Sequence, residues 1–357
     1  MKLRGPLCRL SVRVAGRLLP QRALESLFRH ATNGYGTAVC VHRIGPPTKQ
    51  RKFNPAPEMT TPEAHIDKLL ALVRGAGRQS SFSLTFDDGY ADSVAYVASR
   101  APAYPGVRWL VFVCPEKLTR RAGFRWDHYE LRTRRNQPTP PFRVFMAQDL
   151  DVQKENHRED LHEVADQPEF QLATVEACKQ LSKLGNVSLG GHTNAHFNLC
   201  LLSKEAAEYE LRTSTVAFEA TFEQPLTHFS FPFGHPGEHF TLEHTAYLKA
   251  LRNPTMWSTG QRPYALDDEL LVLPRFAFHG AWSGEAMLLW MSLHAVRARL
   301  LRTLTEVGAE IAGVAKVAQN DGEPFHFDAI RPPPPPPPAS ETRYRPASLE
   351  APTALRA

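Results

Sequence analysis

The chain has 357 residues, 42% hydrophobic and 22% charged, an ordinary balance for a soluble protein of one large domain or two small ones. Its net charge of +5 is unevenly placed: residues 1–30 hold seven Lys/Arg against one acid, Glu25, a charge of +6 that leaves −1 for the rest. A nucleic-acid partner is therefore excluded as the meaning of the high isoelectric point. Five scattered cysteines with no C-x-x-C pair exclude a disulfide framework and a thiolate zinc site, and favour a reducing compartment. No apolar run approaches the roughly 20 residues that span a bilayer. The leader is too interrupted by Arg to supply the apolar region of a secretory signal, so a cytoplasmic address is expected.

Residues 1–33 read as a basic amphipathic leader, with Leu10, Val14, Leu18, Leu24 and Leu27 among the arginines. Either it packs on the domain as a solvated helix, or it lies on an anionic membrane surface as a peripheral contact. The body opens near Gly34, and Ala38-Val39-Cys40-Val41 reads as a buried strand ending in His42-Arg43-Ile44. Thr61-Pro62-Glu63 marks a helix start, with Thr61 as the capping hydroxyl and Ile66, Leu69, Leu70 and Val73 on the buried face. Phe82, Leu84 and Phe86 alternate with polar residues along a strand that delivers Asp87-Asp88-Gly89 at its carboxyl end.

Further strands are expected at Trp109–Val113, at Val187 and Leu189 running into Gly190-Gly191-His192, at Phe229 and Phe231 running into Pro232-Phe233-Gly234, and from Leu271 to Phe278. A helix is expected from Ser203 to about Phe222. Strands separated by helical stretches indicate an α/β fold. Residues 118–170, rich in Arg, Asp, Glu, His and Pro, break this rhythm as an insertion. Residues 281–320 hold an amphipathic helix marked by Leu289, Leu293, Val296, Leu300 and Leu304. The 321–357 segment, with prolines from Pro332 to Pro338, reads as a disordered tail.

Two constellations carry chemistry. Adjacent Asp87 and Asp88 at a strand end repel each other in a dry site, and a cation relieves this by holding one carboxylate while the other acts as a base. A turn with two solvated acids is the bland alternative. His192 and His196 stand four residues apart, a spacing that on a helical turn puts both imidazoles on one face. Thr193 follows His192, so this is not the H-E-x-x-H metalloprotease helix. Two His and one carboxylate leave a position open for water, the pattern of catalytic zinc.

Thr85-Phe86-Asp87-Asp88-Gly89-Tyr90, Gly191-His192-Thr193-Asn194-Ala195-His196 and Phe231-Pro232-Phe233-Gly234 resemble, in order and spacing, three motifs of the polysaccharide deacetylase family, the NodB-homology domain of carbohydrate esterase family 4. The resemblance spans about residues 36–280 within a domain bounded at 34–280. It implies a distorted (β/α) barrel with fewer than eight regular strands and the site at their carboxyl ends. It implies a hydrolase removing N-acetyl groups from an N-acetylated glycan or a lipid-linked sugar, with Asp88, His192 and His196 on a divalent metal, usually Zn2+. Asp87 would be the base and the Phe233 backbone N–H an oxyanion donor.

The departures are informative. Ser230 stands where the family commonly has an Arg that orients the base, so Arg275 of Leu273-Pro274-Arg275 is nominated instead, against a surface salt bridge. His279 is the nearest match to the family's catalytic acid, against a surface-loop His. His42 is placed at the pocket, against a satisfied strand-end His. Trp257 is placed as a sugar-stacking face, against a core Trp. The alternatives are a hydrolase of a non-sugar amide and a degenerate carbohydrate-binding protein.

Overall fold

The computed structural model describes residues 6–45, 59–141, 167–278, 280 and 282–312, with residues 144 and 164. The Pro-rich tail, His279 and much of the 118–170 insertion lie outside the described residues. Two helices, α1 (Pro6–Leu18) and α2 (Gln21–Ala31), precede strand β1 (Tyr35–Val41). The leader is thus two helices rather than one, because Pro20 cannot continue α1 and instead starts α2.

The sheet is built from β1, β4 (Phe82–Phe86), β5 (Arg108–Val113), β6 (Val187–Gly191), β7 (His228–Ser230), β8 (Thr255–Ser258), β10 (Val272–Pro274) and β11 (Phe276–Ala277). Their order is β10-β8-β7-β6-β5-β4-β1-β11, and every pairing along it is parallel. The two outermost strands are halves of one segment interrupted at Arg275. Val272–Pro274 pairs with β8, and Val39 and Cys40 of β1 take Phe276 and Ala277 as partners. The single strand expected from Leu271 to Phe278 therefore splits, and in changing neighbours it brings the two edges of the sheet together into a nearly closed barrel. At the opposite end β9 (Tyr264–Ala265) pairs antiparallel with Tyr35 and Gly36. A short pair, β2 (Arg43–Ile44) and β3 (Thr60–Thr61), continues the chain beyond β1.

Helices cover the outside: α3 (Glu63–Gly75), α4 (Ala91–Arg100), α5 (Pro115–Arg120), α6 (Arg125–Arg134), α7 (Val175–Leu181), α8 (Lys204–Phe222), α9 (Leu242–Arg252) and α10 (Gly284–Ala312). Side chains alternate along each strand, so the two faces can be assigned by parity. Val39, Val41, Leu84, Phe86, Trp109, Val111, Val113, Leu189, Phe229 and Met256 join the large core between sheet and helices. Ala38, Leu110, Phe112 and Trp257 form a small apolar plug inside the barrel with Tyr264. The same inward parity carries Cys40, Thr85, Asp87, Gly190, His192, Ser230 and Arg275. The barrel interior is therefore apolar at the base and polar toward the strands' carboxyl ends.

Two sequence expectations need correction. Thr61 does not cap α3: Pro62 holds the cap position without a side-chain bond, and the Thr61 hydroxyl donates to the Phe278 carbonyl at 2.9 Å. The apolar stripe of the last helix is buried only in its first half. Ala286, Leu288, Leu289, Met291 and Ala295 enter the core, whereas Val296, Leu300 and Leu304 are exposed. No helix among the described residues is long and apolar enough to cross a membrane.

Candidate active site

Asp87 follows β4 directly, and its backbone N–H donates to the Val41 carbonyl, which keeps it in strand register. Its side chain points inward and is buried. Arg275, itself wholly buried, grips it with both arms: Nη1 donates to Oδ1 at 2.6 Å and Nη2 to Oδ2 at 2.8 Å. The guanidinium is fixed in turn by Thr85 Oγ1 at 2.9 Å, Ser230 Oγ at 2.7 Å and the Ser258 carbonyl at 3.3 Å. Ser230 also donates to Asp87 Oδ2 at 3.3 Å. Burial alone would raise the Asp87 carboxyl, but the Arg275 charge, His192 and the paired hydrogen bonds hold it well below the usual carboxylate range. Arg275 thus pairs with buried Asp87, and not with a surface acid.

Asp88 behaves oppositely. It adopts φ 76°, and neither carboxylate oxygen has a hydrogen-bond partner although both are buried. Burial, with the charges of Asp87 and Asp127, pushes its carboxyl well up. Its Oδ1 lies 3.6 Å from His192 Nε2 and 3.4 Å from His196 Nε2. One ligand atom from each of Asp88, His192 and His196 falls within 4.8 Å of the others, all three buried. His192 Nδ1 sits 2.7 Å from the Ser230 carbonyl, which can only accept, so the proton is on Nδ1 and the Nε2 lone pair faces Asp88. Burial lowers both histidines, His196 strongly, which favours the neutral form that binds a metal. An orphaned buried carboxylate facing two neutral imidazoles fits a divalent ion, since a buried anion without a partner is costly.

The His192–His196 segment is not the helical turn that its spacing suggests. Thr193 and His196 both have positive φ (58° and 63°), and the chain loops. Side chains hold that loop: the Thr193 hydroxyl accepts from His196 N–H at 2.9 Å, and Glu210 Oε1 of α8 accepts from the N–H groups of Asn194 and Ala195 at 2.8 and 3.0 Å. Glu210 was not anticipated, because its place in an ordinary amphipathic helix carries no local signal. Glu210→Ala is expected to weaken metal binding about 10- to 100-fold, as loss of a supporting residue commonly does. Glu210→Gln, which keeps an acceptor oxygen, should lose less; calorimetric titration of zinc into each variant checks this.

The outer side of His196 is an aromatic wall. Its ring centroid lies 5.5 Å from Phe124, 4.8 Å from Trp126 and 4.7 Å from Phe233. Trp126 stacks on Phe124 and donates from Nε1 to Tyr90 Oη at 2.8 Å; Tyr90 donates to Asp127 Oδ2 at 2.8 Å. Phe124, Trp126 and Asp127 belong to the segment read only as an insertion. The sequence signal was Phe124-Arg125-Trp126, an aromatic cluster inside an otherwise polar stretch.

His42, half-buried at the end of β1, brings a ring nitrogen within 4.8 Å of Cys40 Sγ and an Asp87 oxygen. That trio is a poor second metal site, because Arg275 already occupies Asp87 and burial pushes the Cys40 thiol up. Phe233 adopts φ 61° at the turn after β7, with its ring against His196. Trp257 does not reach the site. It is wholly buried in the barrel plug, 6.5 Å from Phe112 and from Tyr264 by ring centroid, because inward parity on β8 turns it into the barrel interior. It therefore offers no stacking face.

No family model matches the chain, and no curated protein matches it. Solved structures do. The Streptococcus pyogenes deacetylase PplD, in complex with acetate, superposes with a TM-score of 0.50 at 15% identity, covering 72% of this chain and 98% of that one. BC0361, a polysaccharide deacetylase from Bacillus cereus, gives a TM-score of 0.48 at 13% identity over 72% of this chain and 68% of that one. IcaB from Ammonifex degensii gives 0.41 at 13% identity over 74% and 98%. At such identities the likeness is one of architecture, and with the nearly closed parallel barrel already described it is plain: the chain shares the fold of the PplD deacetylase.

Proposed function

We propose that the protein is a metal-dependent hydrolase that removes N-acetyl groups from an N-acetylated sugar in a polysaccharide or glycan precursor. The observation that carries this reading is the division of labour between neighbouring aspartates: Asp87 is locked ionised by Arg275, while Asp88 has no partner except two neutral histidines. Asp88, His192 and His196 would hold the ion, and their two nitrogens and one oxygen suit zinc. When bound, the ion polarises the acetamide carbonyl and acidifies an adjacent water.

Asp87 would take the proton from the attacking water, and the Arg275 fork keeps the carboxylate ionised and fixed in plane beforehand. His192 keeps its accepting nitrogen turned to the site through its bond to the Ser230 carbonyl. The backbone N–H of Phe233 donates to the developing oxyanion. Phe124, Trp126 and Phe233 exclude water from the outer side of His196. His42 lines the cleft beside Asp87. All five cysteines are free, which supports a cytoplasmic address.

The test is acetate release by the full chain from N-acetylglucosamine oligomers and, in parallel, from non-sugar acetamides. Release from the oligomers, abolished by chelation and restored by zinc, is the expected outcome. Release from the non-sugar amides alone would contradict the sugar substrate. Absence of release from either, with no metal bound, would contradict the enzyme.

A further inference from the structure

The outward face of α1 is apolar and basic in a way the barrel does not use. Val12 is buried and Cys8 and Ala15 are partly buried, all against the core. Gly16 sits so close to α10 that a Cβ would lie 2.6 Å from the Ala286 Cα. Any larger residue would push the helices apart. At 100° per residue these four define one side of α1. Leu10, Val14 and Leu18, spaced by four, lie on the opposite side and are 54%, 51% and 78% exposed. Arg13 and Arg17 run alongside them, and α1 contains no acid. Leu19 extends the patch at 40% exposure, followed by exposed Arg22.

The patch also has a defined place on the barrel. Phe278 follows β11 and donates to the Cys40 carbonyl near the carboxyl end of β1, and α10 begins at Gly284. Gly16 abuts Glu285 and Ala286, in the first turn of α10. The Leu18 end of α1 therefore lies toward the same end of the barrel as Asp87 and His192.

We infer that α1 docks the protein on an anionic lipid surface, with Leu10, Val14 and Leu18 entering the acyl boundary and Arg13 and Arg17 reaching the headgroups. Long arginine stems suit this, because they lie along apolar surface while the guanidinium stays wet. Charge selects this occupant. A second copy packed face to face would bring Arg13 and Arg17 of one chain against those of the other. The inference does not rest on the deacetylase reading.

The test is co-flotation of the full chain with vesicles of phosphatidylcholine alone and of phosphatidylcholine mixed with phosphatidylglycerol. Binding is expected only to the mixed vesicles and should weaken with salt. Replacing Arg13 and Arg17 by serine should weaken it about 30-fold, at about 1 kcal/mol per arginine near the surface. L10S/V14S/L18S should abolish it without lowering the melting temperature, since those side chains are already exposed. Equal binding to both vesicle types, no binding to either, or variants that bind as the parent does would overturn the inference. So would a concentration-dependent dimer in light scattering that L10S/V14S/L18S dissolves while vesicle binding persists.

Discussion

Arg275→Met is expected to destabilise the fold by about 3–5 kcal/mol, because it strands a buried carboxylate whose two-armed cationic partner is gone. Chemical denaturation at neutral pH reads this as a lower midpoint with an unchanged slope. The sign of its pH dependence is fixed. The folded Asp87 carboxyl lies below its ordinary value, so the pair contributes stability above the usual aspartate pKa of about 3.9 and loses it as pH falls through the lowered folded value. Without Arg275, burial dominates and raises the carboxyl instead. The acid limb of kcat/KM should then move to higher pH, a displacement that a purely structural arginine would not produce. Arg275→Lys should recover part of the stability but not the two-armed grip on Asp87.

Asp87→Asn is expected to lower kcat by about 10²–10⁴, the usual contribution of a positioned base, while leaving zinc affinity little changed. The amide matches the carboxylate in shape but cannot accept the water's proton. Asp87 stands outside the Asp88–His192–His196 trio, so the metal and the base should separate cleanly in this variant. The substituted amide would leave Arg275 charged and buried opposite a neutral group, so some loss of stability is also expected. Combining D87N with R275M should cost less stability than the two single changes added together, because the residues share one interaction. Additive costs would mean that the two side chains do not act as a pair.

Asp87, Asp88 and His192 were legible because each sits one or two residues past a strand that announces itself. Phe82, Leu84 and Phe86 mark the helix-covered face of β4, and parity then sends Thr85 and Asp87 inward. The Arg275 nomination rested on the family resemblance, and what the sequence hid was how the arginine gets there. It stands at the point where Val272–Ala277 leaves β8 for β1, a change of partner that no local pattern encodes. Glu210 and Trp126 escaped for a related reason. Glu210 reaches the His192–His196 loop from within α8, and Trp126 from a stretch whose charge content marked it only as an insertion. The looped course of Thr193 to His196 was also hidden, since i, i+4 spacing matches a helix until two positive φ angles are known. Trp257 shows the converse: an isolated aromatic has no visible facing until its strand, β8, is placed in the barrel.

On the proposed mechanism, Asp88, His192 and His196 form one metal site that Asp87 serves without joining. Calorimetric titration of zinc into the metal-free chain and into its D88A, H196A and D87N variants tests it directly, with acetate release followed on the same samples. A single saturable site is expected in the parent and in D87N, none in D88A or H196A, with acetate release from the zinc-loaded parent at a rate at least about 10² above every variant. Undiminished zinc binding by D88A and H196A, or acetate release that survives in D88A, would contradict it.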